Sequence, residues 1–378
     1  MAHAIAIIGG NIAGLSAAYY LAGKGCKVTV YEAKIWDKPC GGAISIQFAD
    51  YLRHHVGVSV AASDKPTRKV RCGFQKTPPV LLNGIFEITS RYQLQKDLIT
   101  RLKSHPNIEV VFKRVSLNDR HHFTPQTVLA TGFSALTRKI IQDEWYNREY
   151  ALIYKTQGVI DPDRHPDTHL LLFNSRIRGY GWIFLENNGR FNMGTGGLLN
   201  KEKLYREYDR FRKSSRDVYN YSSLRPVGRP VIWKLPVALQ PERNQLAFIR
   251  KNIEFIGVGD VLGLAHPIVA AGIEPAWQSG WLLAESYDPA RGRIDVERYR
   301  LLLKKNLHLT SRKPIDRLSA WMLRSFKLPV HERMAYIFLR LNRQSIYKSL
   351  AQYPWFAMVH DGKQPVGLSA ERQRIDSS

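Results

Sequence analysis

The chain opens with a short apolar run, Ala4-Ile5-Ala6-Ile7-Ile8, that breaks at a glycine turn. From Ile12 to Lys24 the residues on the helical repeat are small or apolar (Ala13, Gly14, Ala17, Ala18, Leu21, Ala22), and Gly23 and Gly25 follow. Lys27-Val28-Thr29-Val30-Tyr31-Glu32 then alternates and ends in an acid. Together these predict a strand–helix–strand unit of ordinary length. Further on, 91–103 predicts an amphipathic helix with Leu94, Leu98 and Leu102 on one face, followed by a strand at Ile108–Phe112. Thr127–Ala130 predicts another strand, running into Thr131-Gly132.

From 151 to about 245 the pattern turns to longer strands. Leu170–Phe173, Gly181–Leu185 and Arg190–Met193 predict an antiparallel meander, with Asn187-Asn188-Gly189 as a hairpin turn whose residues tolerate positive φ. A charged helix is expected over 201–220. Strands are expected at Leu246–Ile249 and Glu254–Val258, and a helix from about Gly272 to Tyr287. After 295 the chain reads as helical and basic with interleaved aromatics, and there is no internal repeat.

Composition narrows the class. The 378 residues are 44% hydrophobic and 23% charged, which suits a globular protein of about two domains. No stretch reaches the ~18 consecutive apolar residues of a membrane-spanning helix. The N-terminus reads as a strand and not as a signal peptide. Three cysteines, Cys26, Cys40 and Cys72, make neither a disulfide framework nor a zinc pattern, so a reducing cytoplasm is expected. The formal net charge of +24 is the unusual feature. It admits nucleic acid, an anionic membrane surface or an acidic partner, or a basic surface without a partner. No helix-turn-helix, RNA-binding sheet motif or zinc finger directs it at bases, which disfavours nucleic acid.

Gly9-Gly10-Asn11-Ile12-Ala13-Gly14 carries the chemistry of the first unit. A dinucleotide fold needs a tight turn after its first strand, close backbone approach to a pyrophosphate, and a small residue where helix meets strand. Gly9 and Gly14 fit the first and third roles. Asn11 stands at the second glycine position, where its tolerance of positive φ is the expected reason. Free N–H groups at the helix start favour an anion. Glu32, followed by Ala33, ends the second strand, where an acid accepts hydrogen bonds from a ribose. A second segment, Gly257-Val258-Gly259-Asp260, follows a strand and leads through Pro267 to Ala271-Gly272-Ile273 at a helix start. That helix start would set its dipole near a group on which negative charge develops. Tyr180, Trp182 and Phe184 alternate with Gly181 and Ile183, so a strand puts three rings on one face, as core or as the wall of an apolar cavity. Met193-Gly194-Thr195-Gly196-Gly197 is glycine-rich but follows a hairpin strand, and is not a second dinucleotide motif. His165 and His169 flank Pro166, so no metal site is expected.

These segments resemble, in order, the geranylgeranyl reductase family within the flavoproteins shaped like para-hydroxybenzoate hydroxylase. The likeness spans roughly 4–290. It is carried by the N-terminal unit, Lys38-Pro39-Cys40-Gly41-Gly42, Arg91, Ala130-Thr131-Gly132, Tyr180-Gly181-Trp182-Ile183-Phe184 and the Gly-Asp segment. Leu185 stands where the family has proline, and Ala270-Ala271-Gly272 replaces a glycine-richer turn. The resemblance implies FAD held by Gly9, Asn11, Ile12, Ala13, Gly14, Glu32, Ala33, Gly41, Gly42, Arg91, Ala130, Thr131, Gly132, Gly259, Asp260, Gly272 and Ile273. It implies catalytic roles for Cys40, as a proton donor, and for the ring wall of Tyr180, Trp182 and Phe184. Cys40 also reads as a small buried hydrophobe, and Arg91 as a surface arginine at a helix start.

The expected fold is α/β: a Rossmann-type FAD-binding domain with an antiparallel β-sheet substrate domain and a helical C-terminal tail. The FAD domain takes 1–150 and 246–295, with 61–84 helping to line the substrate domain of 151–245, and 296–378 forms a basic helical region. The expected activity is hydride transfer from the flavin to a carbon–carbon double bond of an isoprenoid or other apolar substrate. Hydroxylation of an aromatic group, in a small molecule or in a tryptophan of an acidic partner protein, is the rival. A flavin-binding module without turnover is the third. The absence of a Trp-x-Trp-x-Ile-Pro segment disfavours a halogenase. The electron donor stays open, and contact with an anionic membrane is expected of the tail.

Overall fold

The computed structural model describes residues 3–306 except 61–68, 75–78, 84–85, 143–149, 161–167, 178, 187–188, 199, 220–223, 237–244 and 266–270. Strand β1 (Ala4–Ile8), helix α1 (Ile12–Gly23) and strand β2 (Lys27–Glu32) form the predicted opening unit. Then come β3 (Ala43–Ser45), α2 (Ile46–Tyr51), a π turn at Leu52–Val56, β4 (Lys69–Phe74), β5 (Val80–Asn83) and β6 (Phe86–Ile88). Helix α3 (Arg91–Lys103), β7 (Ile108–Phe112), β8 (Gln126–Leu129) and α4 (Ala135–Ile141) follow. The strands β9 (Tyr150–Ile160), β10 (His169–Asn174), β11 (Gly179–Leu185) and β12 (Arg190–Gly197) lead to α5 (Lys201–Tyr219). The remainder is β13 (Leu224–Pro236), β14 (Ala247–Arg250), β15 (Ile253–Gly257), α6 (Ile273–Glu285) and α7 (Val296–Asn306).

Two sheets organise these elements. The first has the order β14-β15-β8-β1-β2-β7 and is parallel apart from the β14–β15 hairpin. Its central strand β1 is buried from Ile5 onward, as a parallel strand covered on both faces must be. Helix α1 carries no charged side chain and is buried on every side, because it lies between the sheet and α6. The second sheet has the order β13-β9-β12-β11-β10-β4-β5 and is antiparallel except where β10 meets β4. Lys69–Phe74 and Val80–Asn83 therefore belong to this sheet and not to the first. Helix α5 covers one of its faces with Leu204, Tyr208 and Phe211, which recur at helical spacing among charged neighbours.

Three expectations need correction. Arg190–Met193 is too short, since the strand continues through Gly194-Thr195-Gly196-Gly197. Those glycines are there for close packing: a Cβ at Gly194 would overlap the Trp182 indole, and one at Gly179 would overlap the Gly196 carbonyl. Strands β9 and β13 are the longest among the described residues, yet neither was singled out, because Gly158, Pro226 and Pro230 interrupt their pattern. Asn11 has φ −101° and not a positive φ; its side chain caps α1 by accepting from the Ile12 N–H at 2.9 Å. In the hairpin, Gly189 has φ +64°, while Asn187 and Asn188 lie outside the described residues. The basic region from 307 onward also lies outside them. Among the described residues no helix is long and apolar enough to cross a membrane.

The contact between α1 and α6 yields a test. A Cβ at Gly280 would stand 2.6 Å from the Ala13 carbonyl oxygen and 2.6 Å from the Ala17 nitrogen, both backbone atoms that cannot step aside. Gly280→Ala gains about 1 kcal/mol of helix propensity. Forced separation of the two helices should outweigh it, for a net loss of about 1–2 kcal/mol. Urea unfolding followed by circular dichroism would show the lowered midpoint.

Candidate functional site

The turn between β1 and α1 is tight. Gly9 has φ +107°, and a Cβ there would lie 2.6 Å from the Ala130 carbonyl carbon and oxygen. A Cβ at Gly14 would overlap the Gly9 carbonyl, so both positions exclude a side chain. The Gly10 N–H donates to Glu32 Oε2 at 2.7 Å, and the Lys34 N–H donates to Oε1 at 3.2 Å. Burial raises the Glu32 pKa, and N–H donors from Lys34, Gly10 and Ala33 oppose that rise. Gln95 Nε2, on α3, donates to the Gly10 carbonyl at 2.8 Å and braces the turn from below.

Arg91 is buried at the start of α3, which corrects the reading of it as a surface arginine. Its Nη2 donates to Asn11 Oδ1, and its Nε is buried with no partner. A buried guanidinium with an unused N–H beside a helix N-terminus suits an anion. Asp260 is a second meeting point. Its carboxylate oxygens lie 3.8 Å and 3.7 Å from where Cβ atoms on Gly132 and Gly272 would stand, and Lys38 forms an ion pair with it. Gly272 caps α6, Ile273 opens it, and Gly132 has φ +58°. The other residues of the set are structural neighbours. Ile12 and Ala13 are buried under the turn, Gly259 packs on Ala13, and Thr131 shares a hydrogen bond with Thr137 at 2.6 Å. Pro267 and Ala270 lie outside the described residues.

The segment after β2 joins these residues to the second sheet. Asp37 is held by Lys155 (3.6 Å) and Gln157 (3.2 Å) of β9, and the Gly42 carbonyl accepts the Thr89 N–H at 2.8 Å. A Cβ at Gly41 would meet the Phe184 ring at 2.6 Å and Trp182 Nε1 at 3.3 Å. The rings of Tyr180, Trp182 and Phe184 are successive neighbours, with centroids 5.9 Å and 6.3 Å apart. They gather with Ile153, Ala151, Ile88 and Ala265 in one apolar cluster. Ile183 points the other way, into the core under α5. Cys40 is half-buried and accepts the Gly42 N–H at 3.4 Å. Burial, and then the nearby Cys40, push the Tyr180 phenol above its usual range, so it stays protonated.

Two buried polar residues were not legible in advance. Asn192 bonds to Trp182, Gly41 and Glu186; its one signal is an amide at an inward position of a hairpin strand. Glu274, in the first turn of α6, accepts the Ser45 N–H, and burial pushes its pKa up to about 7. His169 is buried and accepts the Leu185 N–H at 3.0 Å, whereas His165 and Pro166 lie outside the described residues. Among the described residues no group of three or more His, Cys, Asp or Glu could hold a metal.

A sequence profile described as an NAD(P)-binding Rossmann-like domain matches residues 7–71. The chain is 24% identical over 321 residues to digeranylgeranylglycerophospholipid reductase of Sulfolobus acidocaldarius, covering 75% of this chain and 68% of that protein. Its fold is similar to that of a geranylgeranyl bacteriochlorophyll reductase-like protein from Thermoplasma acidophilum. That match has a TM-score of 0.58 and 18% identity, and covers 93% of this chain and 88% of that one. It is similar also to a flavin-dependent brominase (TM-score 0.65, 12% identity, 100% of both chains). A probable FAD-dependent monooxygenase of Pseudomonas aeruginosa shares the fold too (TM-score 0.52, 16% identity, 96% of this chain and all of that one). Fold, glycine turn and sequence likeness together make the chain similar to the FAD-dependent oxidoreductases. Within that class the chain is similar in sequence to a digeranylgeranylglycerophospholipid reductase and in fold to a geranylgeranyl bacteriochlorophyll reductase-like protein.

Glu274 gives this region a pH dependence. An unfolded glutamate titrates near 4.5 and the folded one at about 7, so between these values the folded state holds the extra proton. Stability must then fall as pH rises through that window and level off above it, by on the order of 3 kcal/mol in all. Glu274→Gln keeps an acceptor for Ser45 and removes the charge. The variant should be more stable than the parent at about pH 8 and converge with it near pH 4.5, as read from urea midpoints.

Proposed function

We propose that the chain reduces carbon–carbon double bonds of an isoprenoid or similarly apolar lipid, using FAD bound between the β1–α1 turn and the start of α6. The observation that carries this reading is the ring wall of Tyr180, Trp182 and Phe184, packed directly on the Cys40-Gly41-Gly42 segment. When bound and reduced, FAD supplies the hydride that adds to one carbon of the double bond.

The chain's own groups do the rest. Arg91, with its spare N–H, and the N–H groups at the start of α1 would hold the pyrophosphate; Gly9 and Gly14, by lacking side chains, let α1 start close behind the strand. Glu32 would accept hydrogen bonds from the adenosine ribose. Asp260, between Gly132 and Gly272, would take the hydroxyls of the ribityl chain. The aromatic wall excludes water and fixes an apolar chain by contact, so that orientation and not acid strength limits the step. Cys40, with the Tyr180 phenol beside it, would deliver a proton to the second carbon. A lipid substrate is met at a membrane surface, and the formal charge of +24 suits anionic headgroups.

Purified protein should be yellow and release FAD, and not FMN, on acid treatment. Glu32→Ala should weaken FAD retention by roughly tenfold or more, the loss of charge-assisted bonds to a sugar. Equilibrium dialysis measures it, and unchanged retention would remove Glu32 from the site.

The activity itself is tested by reducing the flavin anaerobically and mixing it with vesicles that carry an isoprenoid lipid, or with oxygenated buffer. The expected result is reoxidation by the lipid with a saturated product, faster from anionic than from neutral vesicles and slowed by salt. A flavin–oxygen adduct and oxygen from O2 in an aromatic product, with no reaction toward any alkene, would instead establish the hydroxylase.

A further inference from the structure

Asn192 lies on β12 directly opposite Phe184 and is 1% exposed. Its Oδ1 accepts the Trp182 indole N–H at 2.8 Å. Its Nδ2 donates to the Gly41 carbonyl at 3.1 Å and to Glu186 Oε1 at 2.7 Å. The neighbours fix which way the amide points. An indole nitrogen only donates, while a carbonyl and a carboxylate only accept. A flipped amide would set donor against donor at one end and acceptor against acceptors at the other.

This one side chain therefore ties the ring wall to the segment after β2. Gly41 cannot rise from the rings without losing the bond from Asn192. It cannot sink further, because the Phe184 ring and Trp182 Nε1 already fill the space a Cβ would need. Gly42 is pinned from the other side by Thr89, and Lys38 by Asp260. Cys40 lies between these fixed points, half-buried, whereas Cys26 and Cys72 are 1% and 5% exposed. Glu186 sits at the root of the β11–β12 hairpin, where its own N–H bonds to the Arg190 carbonyl at 2.7 Å. The Asn192 bonds thus run from the hairpin root to the thiol-bearing segment.

We propose that Asn192 is the positioning residue of the Cys40-Gly41-Gly42 segment, holding Gly41 against Trp182 and Phe184 and so setting the exposure of the Cys40 thiol. The importance of Cys40 rests on the proposed function; the geometry does not. The test is alkylation of the FAD-loaded protein by iodoacetamide, each cysteine being followed separately by peptide mass spectrometry. In the parent, Cys40 should react and Cys26 and Cys72 should not. Asn192→Leu leaves the buried Trp182 N–H without its acceptor and removes the bonds to Gly41 and Glu186, so Cys40 should alkylate roughly tenfold faster, with Cys26 and Cys72 unchanged. Trp182→Phe keeps a ring in place but removes one of the three bonds, for an acceleration of roughly threefold; it carries the test if Asn192→Leu does not fold. Glu186→Gln retains an acceptor oxygen and should stay within about twofold of the parent.

An unchanged Cys40 rate in both Asn192→Leu and Trp182→Phe would overturn the proposal. So would equal acceleration at Cys72, the mark of general loosening. A protein that reduces no isoprenoid yet shows the selective Cys40 response would leave this inference standing and defeat the proposed function instead.

Discussion

The structure depends on the approach of bare backbone at the β1–α1 turn. Gly9 turns with φ +107° against the Ala130 carbonyl, and α1 starts so close behind that Gly14 touches the Gly9 carbonyl. No side chain fits at either place. That closeness sets where α1 starts, since any added Cβ would push the helix away from the strand. The same economy recurs on the back of α1, where Gly280 of α6 lies against Ala13 and Ala17. One small-residue helix is thus held on two sides by contacts that tolerate no extra atoms.

The second sheet is attached to this frame through a short segment. Between Asp37 and Gly42 the chain makes contacts with β9, Asp260, Thr89, Asn192 and the rings of Trp182 and Phe184. Two of these are ion pairs, Asp37 with Lys155 and Lys38 with Asp260. Lys155 and the Lys38–Asp260 pair are mostly shielded from water, where breaking one partner away costs more than the pair gains over an apolar contact. The segment is positioned by polar bonds and closed by apolar rings, an arrangement that fixes the thiol of Cys40 without covering it.

Buried ionisable groups divide into two kinds. Glu32 collects N–H donors that offset its burial, and so it remains available as an acceptor. Glu274 has only Ser45 to offset complete burial, so it holds a proton up to about pH 7. The difference lies in the depth of burial and in the number of donors together. A carboxylate that is to accept from a sugar has to be the first kind.

Much of the first sheet was legible because its signals are local. The run of 4–8, the uncharged helix after it and the alternation ending in Glu32 each need only a few neighbouring residues to be understood. The ring face of Tyr180, Trp182 and Phe184 followed from the two-residue period of a strand. Other features had no such signal. Asn11 reads as a residue of positive φ until the helix is seen to need a cap and Arg91 to need a partner. Gly194-Thr195-Gly196-Gly197 reads as a glycine-rich stretch after a strand until the Trp182 indole is seen lying against Gly194. The sequence by itself determined the Rossmann unit, the strand order of its opening and the chemistry available at its glycines, since these arise from period and steric freedom. Only the tertiary structure decided that Asn192 joins Trp182 to Gly41, that Asp260 gathers Gly132, Gly272 and Lys38, and that Glu274 is dry. Each of those depends on residues far apart in the chain, and burial and hydrogen bonding between distant segments leave no local pattern to read.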